Sequence, residues 1–164
     1  MSRTVIIAIV AVTLLLGLGG GLTKVGAWYR ALSKPSWNPP SWLFGPAWTA
    51  ILGLAGWGGV MAWNGAHSAF DHTRLLIAIG VNMVFHAAWS PLFFMARRPD
   101  WSLIESTFLW FSCVALMFVY GQFSDAARWT MVPYVLWVTF ATFLNWTIVQ
   151  LNAPFGAGDA RGAA

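Results

Sequence analysis

Charge is what this sequence has least of. Its 164 residues include nine Lys and Arg and five Asp and Glu, so 9% are charged, where a soluble domain carries about 25%. The five acids, Asp71, Asp100, Glu105, Asp125 and Asp159, fall in loops, near predicted helix ends or in the tail, which leaves no carboxylate pair for general acid–base work. A single cysteine, Cys113, rules out a disulfide framework or a thiolate metal site within one chain. The three histidines, His67, His72 and His86, lack metal-ligand spacing, so no metal site is expected. No G-x-x-x-x-G-K phosphate loop is present, and no Ser, Cys or Thr stands recognisably beside a base and an orienting group. Covalent catalysis and nucleotide-driven chemistry are thereby set aside. The basic residues are spread thinly at the ends of apolar runs, which speaks for membrane topology and against nucleic acid despite a pI near 9.9.

What is present is apolar and aromatic. Hydrophobic residues make up 59% of the chain, with twelve tryptophans and a mean hydropathy of +0.66. A run of about 20 apolar residues crosses the hydrocarbon core as a helix with every backbone group bonded internally. Five runs qualify, over residues 5–22, 44–65, 75–96, 101–122 and 129–151. The expected fold is therefore an all-α membrane protein, one five-helix transmembrane domain. The first run is followed by Thr23-Lys24 without a small-x-small cleavage site, which favours a retained helix over a secretion signal. Six Lys and Arg (Lys24, Arg30, Lys34, Arg97, Arg98, Arg161) lie on one side against three (Arg3, Arg74, Arg128) on the other. That bias places the N-terminus outside and the C-terminus in the cytoplasm. Helical spans favour a bacterial inner membrane, with the outer membrane as the alternative. Residues 23–43 mix Pro35, Pro39 and Pro40 with Trp28, Tyr29, Trp37 and Trp42, a stiff aromatic composition expected to fold back as a lid. Residues 152–164, rich in Gly and Ala, read as a disordered tail. No internal repeat supports an inverted-repeat transporter core.

Six tryptophans, Trp28, Trp37, Trp42, Trp63, Trp101 and Trp129, sit where an interfacial belt would place them. Trp48, Trp57, Trp89, Trp110, Trp137 and Trp146 lie deeper, where packing and ligand contact are equal alternatives. In the third helix Asn82, His86 and Ser90 recur every four residues beside Trp89. Such a polar stripe at membrane depth should face the bundle, either as interhelical glue or toward a ligand. His86 could donate to a carbonyl or carboxylate, or approach the metal of a metalloporphyrin. In the fifth helix Tyr134, Trp137, Ala141 and Asn145 form a second stripe, with Ala141 as a slot for a flat ligand or a notch for a helix. The pairs Gly17/Gly21 and Ala55/Gly59 have the small-xxx-small spacing of helix association and so suggest a homodimer.

The segment from Trp28 to Pro40 (WYRALSKPSWNPP), followed by Phe44-Gly45-Pro46-Ala47-Trp48-Thr49, resembles the signature of the translocator-protein family, also called tryptophan-rich sensory proteins or peripheral benzodiazepine receptors. Ala88 to Phe94 (AWSPLFF), Val132 to Trp137 (VPYVLW) and Phe140 to Trp146 (FATFLNW) resemble its third- and fifth-helix motifs, so the likeness runs from about residue 17 to 150. The resemblance implies a five-helix homodimer binding tetrapyrroles such as protoporphyrin or haem, sterols, or benzodiazepine-site drugs in a pocket under the first loop. It assigns Tyr29 and Trp37 to the lid, Trp48 and Trp137 to the pocket, and Ala141 to the position beside it. No obligatory cofactor is implied, since the tetrapyrrole is ligand. Receptor, carrier and light-dependent porphyrin-degrading enzyme, the last through Trp48 and Trp137, all remain open. Two departures stand out. His86 replaces a common Asn, and Trp146 and Gln150 stand where a sterol-recognition pattern expects Tyr and a basic residue.

Overall fold

The computed structural model describes residues 26–155, and all regular structure among them is helical. A short α1 (Ala27–Ala31) precedes α2 (Ser41–Gly65) and α3 (Ala69–Ser90). A π-helical turn, Pro91–Met95, prolongs α3; α4 (Pro99–Gly121), α5 (Asp125–Thr130) and α6 (Val132–Asn152) complete the chain. Four segments are long and apolar enough to cross a membrane: Ser41–Gly65, Ala69–Met95, Pro99–Gly121 and Asp125–Asn152. They correspond to the second to fifth apolar runs. The run 5–22, with its Gly17/Gly21 pair, and the tail beyond residue 155 lie outside the described residues.

Each span begins two to six residues before its apolar run, at a serine cap (Ser68, Ser124) or beside a proline (Pro40, Pro99), whereas an apolar run starts where charge ends. Ser68 Oγ accepts the Asp71 N–H at 3.0 Å, which brings Asp71 and Arg74 into the first turns of α3. Ser124 Oγ likewise accepts the Ala127 N–H at 3.3 Å and opens α5. Prolines set the interruptions. Pro91 has no N–H for the α-helical ladder, and the chain beyond it widens to a π turn in which the Ala96 N–H bonds the Pro91 carbonyl at 2.9 Å. Pro133 sits in the first turn of α6, just after the break at Met131 that separates it from α5.

The burial pattern is that of a chain dissolved in lipid. Ile77, Val84, Phe108, Phe111 and Leu136 are exposed, while Asn82, Ser102, Glu105, Ser106, Ser112 and Asn145 are buried. With hydrocarbon as solvent, apolar side chains gain nothing by turning inward and polar ones must find partners there. Four of the six buried polar residues belong to α4, which packs between α3 and α6. One Trp pair departs from interior placement: Trp57 and Trp146 are exposed, whereas Trp48, Trp89, Trp110 and Trp137 are half-buried.

The small residues of α2 serve contacts within the chain. Ala55, Gly58, Gly59 and Ala62 are buried. A Cβ on Gly58 would collide with Thr130 Oγ1 and come within 3.1 Å of the Ala127 carbonyl, and one on Gly59 would lie 2.8 Å from the Tyr120 hydroxyl. The Ala55/Gly59 pair thus closes α2 onto α4 and α5 and is not free to form a dimer seam. Gly58→Val should lower bundle stability by about 1–3 kcal/mol through overpacking. Gly53→Ala, whose new methyl meets nothing within 4 Å, should leave it unchanged or raise it. Heating in detergent while a maleimide dye reads the release of the lone buried thiol, Cys113, measures both.

Candidate functional site

Four rings from three helices meet inside the bundle. Trp48 of α2 lies edge-on to His86 of α3, with ring centroids 4.9 Å apart, to Tyr134 of α6 at 6.1 Å and to Trp137 of α6 at 6.0 Å. The helical spacing explains the pairing, since Tyr134 and Trp137 are three residues apart and so share one face of α6. The Tyr134 hydroxyl lies 3.0 Å from His86 Nδ1. That contact fixes the imidazole and turns Nε2 away from Tyr134. Phe44 and Phe140 close the sides of Trp137, at 5.9 and 5.5 Å. The Trp137 indole N–H is buried and has no acceptor among the described residues.

The connection ahead of α2 lies against this cluster. Tyr29 of α1 is buried against Phe93 and Phe94, at 6.1 and 5.4 Å, and Trp28 meets Phe93 at 6.0 Å. The Lys34 ammonium stands 4.5 Å from the Tyr29 ring centre, a cation–π contact. Burial raises the Tyr29 phenol above its usual range, so it stays neutral. The Ser33 N–H donates to Asn152 Oδ1 and Asn152 Nδ2 donates to the Ser33 carbonyl, both at 2.8 Å. This two-way bond ties the connection to the end of α6. Trp37 stacks on Phe143 at 5.4 Å and touches Phe140 at 6.1 Å. A continuous aromatic series, Trp37, Phe140, Trp137 and Trp48, therefore leads from the exposed Trp37 to the interior cluster.

The structure divides the site candidates into groups. Trp48, His86, Tyr134 and Trp137 come together, Ala141 is half-buried on α6 one turn beyond Trp137, and Tyr29 and Trp37 flank them. Trp89 stacks on Phe93 at 5.0 Å and so belongs to the packing beneath Tyr29. Asn82 and Asn145 hold helices together. Asn82 Nδ2 donates to Ser112 Oγ at 2.9 Å and Cys113 Sγ at 3.3 Å, joining α3 to α4. Asn145, 1% exposed, joins α6 to α4. Its oxygen accepts from Ser102 Oγ at 2.9 Å and the Leu103 N–H at 3.1 Å, and its nitrogen donates to the Pro99 carbonyl at 3.2 Å. The four-residue recurrence of Asn82 and His86 thus splits between a helix contact and the ring cluster. Sequence reasoning passed over Phe44 and Phe140, which an aromatic-rich chain does not single out. Glu105, near the start of its apolar run, is buried, and an acid inside such a run is itself the signal. Among the described residues no three His, Cys, Asp or Glu gather as metal ligands.

Such an arrangement, four spanning helices around an aromatic cluster with polar tips beneath an aromatic strap, defines a multi-pass α-helical membrane protein. Residues 6–151 match the TspO/MBR family, and the chain belongs to it. It is 32% identical to the tryptophan-rich protein TspO of Chlorobaculum tepidum over 93% of this chain and 99% of that one. Identity is 33% to the tryptophan-rich sensory protein of Cereibacter sphaeroides, covering 81% and 82%, and 29% to the human translocator protein, covering 80% and 78%.

Removing the Asn152 side chain deletes both bonds to Ser33. Asn152→Ala should speed amide hydrogen exchange from residue 33 to 37 while the melting of the bundle stays near wild type, a separation that exchange mass spectrometry resolves.

Proposed function

We propose that this protein is a membrane receptor or regulator that binds a flat, hydrophobic, tetrapyrrole-type ligand against Trp48, His86, Tyr134 and Trp137, under the strap bearing Tyr29 and Trp37. It works as a five-helix bundle with the N-terminus outside and the C-terminus in the cytoplasm, as a homodimer in a bacterial inner-type membrane. Sterols and benzodiazepine-site drugs share the flat, apolar shape that such a site accepts. The observation that carries the reading is Trp137. Its ring face is shared with Trp48, Phe44 and Phe140, while its buried N–H lacks an acceptor among the described residues. A buried donor without a partner is rare in native proteins, and a ligand carbonyl or carboxylate would supply one. His86 adds a second polar point, with Nδ1 engaged by Tyr134 and Nε2 left to face a ligand.

Protoporphyrin titrated into the purified protein should quench tryptophan fluorescence saturably. Trp137→Phe, which keeps a ring and deletes the donor, should weaken binding about tenfold, the equivalent of roughly 1.4 kcal/mol for one hydrogen bond. His86→Asn should also change the affinity. Quenching that never saturates, or that both variants leave unaltered, removes the reading.

A light-dependent oxidation of bound porphyrin is the second reading, supported by the 6.0 Å separation of the Trp48 and Trp137 rings, which puts two oxidisable indoles at one site. Illuminated complex should then bleach faster than free porphyrin, and Trp137→Phe should slow it. Equal rates in free solution, wild type and variant discard the enzyme.

A further inference from the structure

The described acids divide sharply. Asp71 lies 3.9 Å from Arg74, Asp125 lies 3.9 Å from Arg128, and Asp100 is bonded to Arg98. Glu105 has no such counter-ion. It is buried in the membrane-crossing α4, and both its carboxyl oxygens are without a hydrogen-bond partner among the described residues.

Its surroundings follow from the antiparallel pairing of α4 with α6. Ser102 meets Asn145 at one level, and Trp110 Nε1 donates to Thr139 Oγ1 at 2.7 Å at another. Between them the pairing sets Thr142 opposite Glu105, and the Thr142 hydroxyl is likewise buried without a partner among the described residues. Two orphaned polar groups thus share one level of the helix interface. Further into the bundle Asn82 bonds Ser112 and Cys113 of α4, and the Tyr134 hydroxyl of α6 reaches His86 Nδ1 at 3.0 Å.

We propose that Glu105 is a membrane-embedded proton-binding site at the α4–α6 interface, and that its proton and the occupant of the ring cluster, which α6 lines with Tyr134 and Trp137, influence each other through that helix. A carboxylate inside the bundle, with neither cation nor donor among the described residues, is far costlier than the neutral acid, which loses only hydrogen bonds. The carboxyl group is held as the acid, an O–H bond on one oxygen, and the proton is exchanged with bulk water when the interior rearranges. Inside the bundle the other titratable side chains on α4 and the helices packed against it are Cys113 and Tyr120 of α4, His86 of α3 and Tyr134 of α6. Among the described residues, α2 and the Pro91–Met95 turn carry no charged side chain, and Arg98 and Arg128 are paired at the helix ends. The link to ligand rests on the function proposed above; the proton site itself does not.

Infrared spectra of the protein in lipid nanodiscs, with and without protoporphyrin, test both parts. Wild type should show a carboxylic-acid C=O stretch at neutral pH that is absent in Glu105→Gln and displaced in Glu105→Asp, and saturating protoporphyrin should shift it. Melting followed at Cys113 establishes that the variants are folded, and Glu105→Asp keeps the test open should Glu105→Gln not fold. A neutral-pH carboxylic-acid region identical in wild type and Glu105→Gln overturns the proton site. A Glu105 band that does not move under saturating protoporphyrin overturns the link alone. Should protoporphyrin never bind saturably, the ligand reading fails, and the band lost in Glu105→Gln still upholds the proton site.

Discussion

The structure depends on one constraint: inside a bilayer core, a polar atom has only the protein to bond with. The constraint selects helices for every span, and it also selects α4 as the central element. Ser106 and Ser112 satisfy their hydroxyls on carbonyls of their own helix, at 2.9 and 2.7 Å, and Ser102 donates to Asn145. Their small size then lets α3 and α6 approach closely enough for Asn82 and Asn145 to cross over. Each crossing amide is worth roughly 1 kcal/mol in a membrane setting, modest singly, but it also fixes which faces of α3 and α6 meet α4. The lipid-facing surface, free of that demand, carries Leu, Ile, Val and Phe without penalty.

With α3 and α6 oriented by Asn82 and Asn145, the remaining residues of those stripes have determined positions. His86 is one turn on from Asn82, and Tyr134 and Trp137 precede Asn145 by three and two turns, so the amides that brace the bundle also aim the rings at Trp48. Aromatic rings suit such a place. They offer large contact area with few rotatable bonds, and edge-to-face pairs add about 0.5–1.5 kcal/mol beyond burial. The prolines act at the borders. Pro91 converts the end of α3 to a π turn that presents Phe93 and Phe94 to Tyr29, and the proline-rich stretch ahead of α2 holds Trp37 over Phe140 and Phe143.

The sequence makes the spans legible because lipid solubility is a property of composition over about 20 residues, and composition is what a sequence displays. Helix ends are less legible. The caps at Ser68 and Ser124 lie outside the apolar runs, and Met131 interrupts a stretch whose hydropathy is unbroken. Family motifs made Trp48, Tyr134 and Trp137 visible as a group. Whether a given polar residue in those motifs braces a helix or faces a ligand depends on rotation about the helix axis by a few tens of degrees. A four-residue recurrence advances 400°, so Asn82 and His86 differ by about 40° on a helix of 3.6 residues per turn. That difference is enough to send one to α4 and the other to the ring cluster. Glu105 shows the same limit: its position near the start of its run is legible, while the rotation that buries it is not.

Tyr134 joins the two halves of this arrangement. It is 1% exposed and among the largest side chains wholly inside the core, and its hydroxyl is also the partner of His86. An interior that must satisfy polar atoms and a site that must offer them are therefore built from the same residue. The sequence holds His at 86, and an imidazole can take Tyr134 on one nitrogen while presenting the other elsewhere, a geometry that a single carboxamide meets only with its oxygen and nitrogen side by side. The ring also fills the edge of Trp48 at 4.9 Å. Substitution at 86 thus changes the packing of Trp48 and the direction of one polar atom together, so ring packing and polar order in the bundle interior are set by the same side chain.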